Sequence, residues 1–301
     1  MTEDKEIINV KNFKKYFGKT KVIDDLSFSV MSGEIFAFLG ANGSGKTTTL
    51  RCLLGIYEAD EGQLFINGKK YTQDDSYLLG YLPEERGLYV TSRVLETLIY
   101  FGRIKGMEYD AAKKFSLNYL ERVGLADKAN LNINKLSSGQ QQKIQLGITI
   151  INSPKLLILD EPTKGLDPVN RSLLLEILME LNKSGSTIIF STHQMEEAEK
   201  IADRLLMIKN GKSVLYGNIE EIKKSFGNNS INVVFEGRLP ENNNLFSSKI
   251  NNHTATLTPN KGIHSNEILK YLIYQNLELI KYEVSAPSLN DIFIKVYGQN
   301  E

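Results

Sequence analysis

The spacing of apolar residues divides the chain into strand-like and helix-like stretches. From Val94 to about residue 105, apolar positions recur roughly every 3.6 residues, and the pattern stays helical from about residue 85 to 152. On either side, short apolar runs such as Ile35–Leu39 and Leu156–Asp160 predict buried strands. Because strands alternate with helices, we predict an α/β fold with a mostly parallel core sheet and an inserted helical subdomain.

The remaining predicted elements extend this α/β pattern to about residue 225. Strands are predicted near residues 22–30 and 64–67, on either side of a glycine-rich segment. The second strand comes directly before Gly68 and is the expected edge of a hairpin, so we expect an antiparallel N-terminal β portion. Further on, the patterns predict helices at 110–123, 169–183 and 195–202 and strands at 187–192 and 205–208.

A change of composition predicts a second domain. Residues 225–230 include Gly227, Asn228 and Asn229, which are typical of a linker. We therefore predict a first domain at 1–225 and a small α+β C-terminal domain at 231–301. In the second domain we expect strands near 231–235, 254–257 and 279–284, helices near 265–275 and 288–297, and loops at the asparagines 242–244 and 251–252. The last helix would be capped by Ser288 and would pack an apolar stripe formed by Leu289, Ile292, Phe293 and Val296.

The glycine-rich segment from Gly40 to Thr47 matches the phosphate-binding pattern GxxxxGK[ST]. Successive backbone N–H groups of such a loop face a polyphosphate, Lys46 would reach the β- and γ-phosphates, and the Thr47 hydroxyl would bind Mg²⁺. The alternative is a glycine-rich turn with a surface lysine, but the strand before and the helix after it favour nucleoside triphosphate binding. The predicted nucleotide-binding residues are Gly40, Asn42, Gly43, Ser44, Gly45, Lys46, Thr47 and Thr48.

Two acids follow the buried strand Leu156–Asp160. Asp160 lies at the carboxyl end of the strand and would hold the Mg²⁺ shell, whereas Glu161 would act as the general base for a water that attacks the γ-phosphate. Taken alone, an Asp-Glu-Pro turn after a strand is equally compatible with these residues.

The segment Leu136-Ser137-Ser138-Gly139-Gln140 lies between these two motifs. The order and spacing of the three motifs resemble the ATP-binding subunits of ABC transporters, and the resemblance covers about residues 5 to 225. It implies that Ser137, Ser138, Gly139 and Gln140 contact the γ-phosphate held by an opposite subunit. Without the resemblance, Ser137 or Ser138 is simply a good helix N-cap.

The resemblance assigns four further residues. Asp167, in Gly165-Leu166-Asp167-Pro168, resembles the D-loop aspartate, which lies across the subunit interface. His193 follows a β-branched strand and resembles the switch histidine that reaches the γ-phosphate. Phe17 resembles the ring that stacks on adenine, with Tyr16 as the second choice.

Two positions depart from the family pattern. Ser138 stands where glycine is usual, and Glu84 stands where the family has glutamine. An ionised glutamate only accepts hydrogen bonds, so we expect Glu84 to contact Mg²⁺ directly or through water. The alternative is that Glu84 turns to solvent and Glu85 or Arg86 makes the local contacts. The segment Pro83-Glu84-Glu85-Arg86-Gly87-Leu88-Tyr89 resembles a subgroup of bacterial exporter ATPases that includes sodium-extrusion systems.

Charge and hydropathy constrain the partners. Lys+Arg and Asp+Glu both number 36 in the 301 residues, so no overall basic field attracts nucleic acid. The single cysteine, Cys52, excludes an intrachain disulfide. No run approaches the ~18 to 20 apolar residues that span a bilayer, and residues 1–6 are too polar for a secretory signal. We therefore expect the chain to reach the cytoplasmic face of the membrane through a partner.

The resemblance thus implies an ATP-hydrolysing subunit of an ABC exporter, with Mg²⁺ as cofactor. Two copies of the chain, or one copy and a paralogue, would sandwich two ATP molecules. A separate polytopic permease would insert a cytoplasmic helix near Leu88, Tyr89 and Tyr100; the alternative is that these side chains pack within the helical subdomain. The alternative hypothesis is a soluble ABC ATPase that acts on ribosomes or nucleic acid. It is disfavoured because the chain has one cassette and no long coiled coil between its motifs.

Overall fold

The computed structural model describes residues 5–72, 79–85, 87–226 and 230–298. The chain forms two compact units, residues 1–218 and 219–301. The first unit ends at Asn218, so the short helix Ile219–Ser225, which the sequence interpretation placed in the first domain, lies in the second unit. The predicted linker residues Gly227, Asn228 and Asn229, and also Arg86, lie outside the described residues.

The first unit contains strands and helices in alternation. Its strands are β1 (Glu6–Phe17), β2 (Thr20–Met31), β3 (Ile35–Leu39), β4 (Glu61–Ile66), β5 (Leu79–Leu82), β6 (Leu156–Asp160), β7 (Thr187–Thr192), β8 (Arg204–Lys209) and β9 (Lys212–Asn218). Its α-helices are α1 (Lys46–Leu53), α2 (Val94–Ile104), α3 (Tyr109–Arg122), α4 (Ser138–Ile150), α5 (Pro168–Lys183) and α6 (Met195–Ile201), and two short 3₁₀ turns lie at Ala126–Lys128 and Ile133–Lys135.

A six-stranded sheet forms the centre of this unit, in the order β5-β6-β7-β3-β8-β9. The first five strands are parallel, and β9 pairs antiparallel with β8. All residues of β3, β6 and β7 are buried, which explains why these strands are apolar without alternation. The predicted parallel sheet is confirmed. Because β7 lies between β6 and β3, the loops that follow these three strands meet at one edge of the sheet.

The predicted antiparallel N-terminal portion is also confirmed. Strands β2, β1 and β4 form a separate three-stranded antiparallel sheet. Its inner face supplies Ile8, Phe13 and Leu26 to a core that continues through Phe36 and Phe38 of β3. Strand β1 and the elements on either side of the phosphate-binding segment therefore share one hydrophobic core.

The inserted helical subdomain consists of α2, α3 and α4. Helices α2 and α3 match the helices predicted near 94–105 and 110–123, whereas residues 87–93 and 123–137 of the predicted helical stretch contain no α-helix. Helix α2 buries Val94 and Leu98, as its 3.6-residue pattern predicts, and leaves Tyr100 and Ile104 exposed.

The second unit is a small α+β structure. It contains β10 (Ser230–Glu236), β11 (Phe246–Asn251), β12 (Thr254–Pro259) and β13 (Glu278–Ser285), with helices α7 (Ile219–Ser225), α8 (Ser265–Tyr274) and α9 (Leu289–Gly298). The four strands form an antiparallel sheet in the order β11-β12-β10-β13. Ile268 and Leu272 of α8 belong to its core, and the Ser288 hydroxyl accepts a hydrogen bond from the Asp291 N–H, as a helix cap should.

Strand β11 corrects the prediction of a loop at Asn251. Phe246 is the one buried residue of this strand, so the sequence carries no alternation that would reveal it. Asn251 is its last residue, and the turn itself lies at Asn252, whose φ is +53°.

Candidate functional site

The phosphate-binding segment follows β3 and opens α1. Gly40 and Gly45 have positive φ angles of +156° and +111°. A Cβ on Gly45 would lie 2.4 Å from Cδ1 of Ile23, and one on Gly40 would lie 2.5 Å from the carbonyl oxygen of Ile208, so both positions require glycine. Helix α1 has no side-chain cap on its first turn. Its free N–H groups and positive dipole end suit an anion.

Lys46, the first residue of α1, is buried at the centre of the loop. Its Nζ donates to the carbonyl oxygen of Gly40 at 2.8 Å and to that of Ala41 at 3.3 Å, and it lies 3.6 Å from Oε1 of Glu161. The ammonium group is therefore bound to the backbone of its own loop and lies next to an acid from the loop that follows β6.

A cavity of about 540 Å³ opens at this edge of the sheet. Among the residues that line it, the loop contributes Asn42 to Thr48, and the rest of the chain contributes Phe17, Val22, Glu84 and Glu161. Tyr16, the second choice for base stacking, is not among these lining residues, and its ring instead lies 5.8 Å from Nζ of Lys21. Ser44 Oγ is buried and has no hydrogen-bond partner among the described residues.

Asp160 is fully buried at the carboxyl end of β6. Its Oδ1 accepts hydrogen bonds from Thr47 Oγ1 at 3.1 Å and from Ser191 Oγ at 2.5 Å, whereas Oδ2 is buried without a hydrogen-bond partner among the described residues. Burial raises the pKa of the Asp160 carboxyl above its ordinary value, and the hydrogen bonds from Ser191 and Thr47 oppose that rise.

Glu161 has an unusual backbone conformation, with a φ of +50°. A left-handed glutamate costs conformational energy and persists where its surroundings fix it. Here the Glu161 N–H donates to the hydroxyl of Ser191 at 2.9 Å, and the carboxylate lies between Lys46 and His193. Nδ1 of His193 is 3.0 Å from Oε2 of Glu161. The structure thus brings three predicted site residues from three loops into one cluster.

Sequence reasoning missed Ser191. This hydroxyl bonds both Asp160 and the backbone of Glu161, so it fixes the two acids relative to β7. The pairing register of β6 and β7 places Ser191 directly opposite Asp160. The signal in the sequence is a serine two residues before His193 at the end of a buried strand.

Glu84 lines the cavity and is paired with a cation. Its Oε1 lies 2.5 Å from Nζ of Lys164, and this contact raises the pKa of Lys164. Lys164 lies on the loop that follows Glu161, so the ion pair connects the loops after β5 and β6.

The segment at residues 137–140, called the signature below, is exposed or half-buried, and none of its residues lines the cavity. Ser137 is the N-cap of α4: its Oγ accepts from the Gln140 N–H at 3.3 Å, and the Gln140 side chain accepts from the Ser137 N–H at 2.9 Å. This capping box leaves Ser138 and Gly139 in the first turn. Asp167 is likewise the N-cap of α5, and the N–H of Asn170 lowers the pKa of its carboxyl.

A glycine-rich loop between β3 and an uncapped helix, with two acids at the carboxyl end of a parallel strand two positions away in the same sheet, defines the class of P-loop nucleoside triphosphatases. Comparison with known proteins gives the family. Residues 23–164 match the ABC transporter family, and residues 217–297 match the C-terminal domain of DrrA1-3-like ATP-binding proteins.

Curated relatives match over nearly the whole chain. The chain is 38% identical to the ABC transporter ATP-binding protein YhaQ of Bacillus subtilis (strain 168), over 97% of this chain and 99% of that protein. It is 30% identical to the linearmycin resistance ATP-binding protein LnrL of the same organism, again over 97% and 99%. Nod factor export ATP-binding protein I of Burkholderia lata is 39% identical over 70% of each chain.

A solved ATP-binding subunit of an ABC transporter superposes with a TM-score of 0.68 at 28% identity, covering 73% of this chain and 93% of that one. The protein therefore belongs to the family of ABC transporter ATP-binding proteins. It is an ABC-type ATPase, a subunit that binds and hydrolyses ATP to power a transmembrane permease. In the part of the chain that the structure describes, no helix is long and apolar enough to cross a membrane.

Proposed function

We propose that this chain drives export through a separate membrane permease, and that its ATP site is the cavity beside Lys46. The observation that carries the chemistry is the cluster that the buried Lys46 and Glu161 form with the exposed His193 beside the phosphate-binding loop. The relatives named for linearmycin resistance and Nod factor export support export as the direction of transport. Their names do not share one cargo, so the proposal is limited to the class of transporter.

The phosphates would bind at the N-terminus of α1. In this arrangement the Lys46 ammonium leaves the carbonyls of Gly40 and Ala41 and pairs with phosphate oxygens. The hydroxyl of Ser44, which has no hydrogen-bond partner among the described residues, and the backbone N–H groups of the first turn of α1 would supply further donors.

The donor set beside Lys46 fits Mg²⁺, because hard cations take oxygen ligands and Oδ2 of Asp160 is a buried carboxylate oxygen without a hydrogen-bond partner in the described part of the chain. Thr47 and Asp160 would hold the ion, which supplies neutralisation of charge on the triphosphate. The Thr47 hydroxyl already donates a hydrogen bond to Oδ1 of the same Asp160 carboxylate at 3.1 Å, so the two side chains lie together.

Glu161 would accept a proton from the attacking water. Its left-handed backbone and the hydrogen bond that its N–H donates to the Ser191 hydroxyl hold the carboxylate near Lys46, where the γ-phosphate would lie. His193 contacts the same carboxylate and would orient it and contact the γ-phosphate. Phe17, 46% exposed at the rim of the cavity, would stack on the nucleobase.

Two copies would complete each site. The first turn of α4 carries Ser138 and Gly139 at the surface, where they would contact the phosphate held by a second subunit. Asp167 is exposed at the start of α5 and would lie at the same interface. A homodimer would then hold two ATP molecules, each between the loop of one copy and the signature of the other.

Glu84→Gln should raise the Mg²⁺ concentration that gives half-maximal ATP hydrolysis. Glu84 lines the cavity, and its charge adds to the effect of burial, which is the main cause of the raised pKa of the Asp160 carboxyl. A water-bridged contact with Mg²⁺ of about 1 kcal/mol corresponds to roughly a fivefold shift in that concentration. Steady-state hydrolysis measured over a Mg²⁺ series at saturating ATP tests this.

The matched control is Lys164→Met, which removes the cation that pairs with Glu84 and leaves the carboxylate in place. An exposed pair contributes little to stability, so both variants should fold. If Glu84 serves Mg²⁺, Lys164→Met should not raise the Mg²⁺ requirement. An equal shift in both variants would show that Glu84 acts as the partner of Lys164, and no shift in either would show that Glu84 does not serve Mg²⁺.

The permease would dock beside α2. A cavity of about 410 Å³ is lined by Tyr89, Ser92, Glu96, Thr97 and Tyr100. Tyr89 and Tyr100 are exposed, and their rings lie 6.3 and 5.5 Å from the ring of Phe101. Leu88 is half-buried and is not among the residues that line this cavity. The exposed rings at one groove are the feature that supports a protein contact here.

Tyr100→Glu should abolish co-purification with a polytopic membrane protein, because a charge in the core of an interface is costly. ATP binding by the isolated chain should stay within about twofold, because the groove shares no lining residue with the cavity beside Lys46. Tyr109→Glu on α3 is the matched control, since Tyr109 is 52% exposed, compared with 54% for Tyr100, and does not line the groove. Affinity capture of the tagged chain from detergent-solubilised membranes measures both. Unchanged capture of Tyr100→Glu would locate the permease elsewhere, and no membrane protein captured even by the unmodified chain would contradict the transporter assignment.

A further inference from the structure

The ring of Phe17 is supported from the protein side by a residue that sequence reasoning did not single out. Tyr57 meets Phe17 edge to face, with ring centroids 5.4 Å apart and an interplanar angle of 82°. Nζ of Lys15 lies 5.3 Å from the centroid of Phe17. Phe17 is the last residue of β1 and is still 46% exposed, so it keeps open surface for a ligand.

Tyr57 is in turn fixed to the helix of the phosphate-binding loop. Arg51, in the last turn of α1, donates from Nη1 to the hydroxyl of Tyr57 at 3.1 Å, and its guanidinium lies 5.8 Å from the centre of that ring. The Tyr57 N–H also donates to the carbonyl oxygen of Arg51 at 3.2 Å. Tyr57 packs against the main core of the first unit, so it forms a short rigid link between α1 and Phe17.

Asp60, three residues further along, attaches the same turn to the end of β1. Its Oδ2 accepts from the Tyr16 N–H at 2.7 Å and lies 3.1 Å from Nζ of Lys15. The Asp60 N–H donates to the carbonyl oxygen of Lys14 at 3.1 Å. The turn after α1 therefore holds β1 by its backbone and Phe17 by its ring.

The covalent length of a nucleotide makes this link relevant to binding. When a triphosphate is bound at the N-terminus of α1, the base can reach a stacking ring only within a limited range of distances from the loop. A ring that is pre-positioned loses less conformational freedom on binding than one that is free to rotate. The contacts that run from α1 through Tyr57 to Phe17 fix the distance between this ring and the phosphate-binding loop.

We propose that Tyr57 is a positioning residue for nucleobase binding, because it holds Phe17 at a fixed distance from the phosphate-binding loop. The inference rests on the proposed role of Phe17 as the ring that stacks on the base. It predicts that Tyr57 contributes to recognition of the base and ribose end of ATP and not to recognition of its phosphates.

The test compares ATP with inorganic tripolyphosphate, which lacks the base. Tyr57→Leu is the main variant, because leucine retains apolar packing against the core and removes the ring; circular dichroism and thermal unfolding confirm its fold. Tyr57→Phe keeps the ring and removes the hydroxyl. We expect Tyr57→Leu to weaken ATP binding roughly fivefold, as the loss of an aromatic pair does, with tripolyphosphate affinity unchanged. Tyr57→Phe should stay within about twofold.

Kinetics supply a second readout. Since positioning of the base affects binding more than the chemical step, Tyr57→Leu should raise KM for ATP and leave kcat within about twofold. In a double-mutant comparison, Phe17→Ala combined with Tyr57→Leu should bind ATP no more weakly than Phe17→Ala alone, because Tyr57 acts through Phe17.

Two outcomes separate this inference from the proposed function. If Phe17→Ala weakens ATP binding but Tyr57→Leu does not, Phe17 stacks on the base without help from Tyr57, and the inference is wrong while the site assignment stands. If Phe17→Ala leaves ATP binding unchanged, the stacking role itself is wrong. Equal weakening of ATP and tripolyphosphate by Tyr57→Leu would also overturn the inference, since it would show a general effect on the phosphate loop.

Discussion

Replacement of Glu161 by glutamine should leave ATP binding nearly intact and slow hydrolysis by a factor of about 10² to 10⁴, the usual contribution of a general base. The amide has nearly the same shape as the carboxylate but cannot accept the proton of the attacking water. Lys46 and Thr47 are unaffected, so the phosphates still bind. The backbone at Glu161 is held by Ser191, which should keep the left-handed conformation in the variant.

Because product is not formed, this variant should also accumulate as an ATP-bound dimer. Steady-state phosphate release measures the rate, and size-exclusion chromatography with and without ATP measures the dimer. Glu85→Gln is a suitable control: Glu85 is exposed on the loop after β5 and is not among the residues that line the cavity. Hydrolysis by Glu161→Gln at a rate close to that of the unmodified chain would remove Glu161 as the base.

The parts of the fold that were predictable are those with strong local patterns. Strands β6 and β7 have the predicted limits, Leu156–Asp160 and Thr187–Thr192, because continuous apolar runs bounded by polar residues leave little choice. The phosphate-binding loop was predictable for a different reason. Its glycines all have positive φ angles, and a Cβ on Gly40 or Gly45 would also meet a neighbouring atom, so the motif appears in the sequence itself.

The parts that were not predictable depend on contacts between distant residues. Ser191 bonds Asp160 across a separation of 31 positions, through the register of two strands that the sequence does not specify. The pair of Glu84 with Lys164 spans 80 positions. Tyr57 is in a turn without any pattern of its own, and only the packing of β1 against the end of α1 brings it to Phe17.

Strand β9 shows a third limit. It pairs antiparallel with β8 at the edge of the central sheet, and none of its seven residues is fully buried. A strand that buries so little surface has no apolar face to detect, because hydrophobic periodicity reports burial and not backbone pairing. For the same reason the sequence predicted the order of the well-buried elements correctly but did not predict β9.

Lys46→Ala should weaken binding of ATP itself, by roughly 10- to 100-fold, since a hydrogen bond to a charged group contributes about 1.5 to 3 kcal/mol. The lysine is the buried cation of the loop, and its loss also removes the donor to the carbonyls of Gly40 and Ala41. Glu161 would lose the ammonium that lies 3.6 Å from its carboxylate, which adds repulsion between that acid and the triphosphate.

Calorimetric titration with ATP and with tripolyphosphate measures the loss, and both ligands should be affected because Lys46 contacts phosphate. This outcome differs from that expected for Tyr57→Leu, which should affect only the ligand that has a base. Lys164→Met serves as the control for a general change of charge near the cavity, because Lys164 pairs with Glu84 at the surface and should alter ATP affinity by no more than about twofold. Tight ATP binding retained by Lys46→Ala would mean that the triphosphate does not lie on this loop. The cluster of Lys46, Glu161 and His193 would then need another explanation.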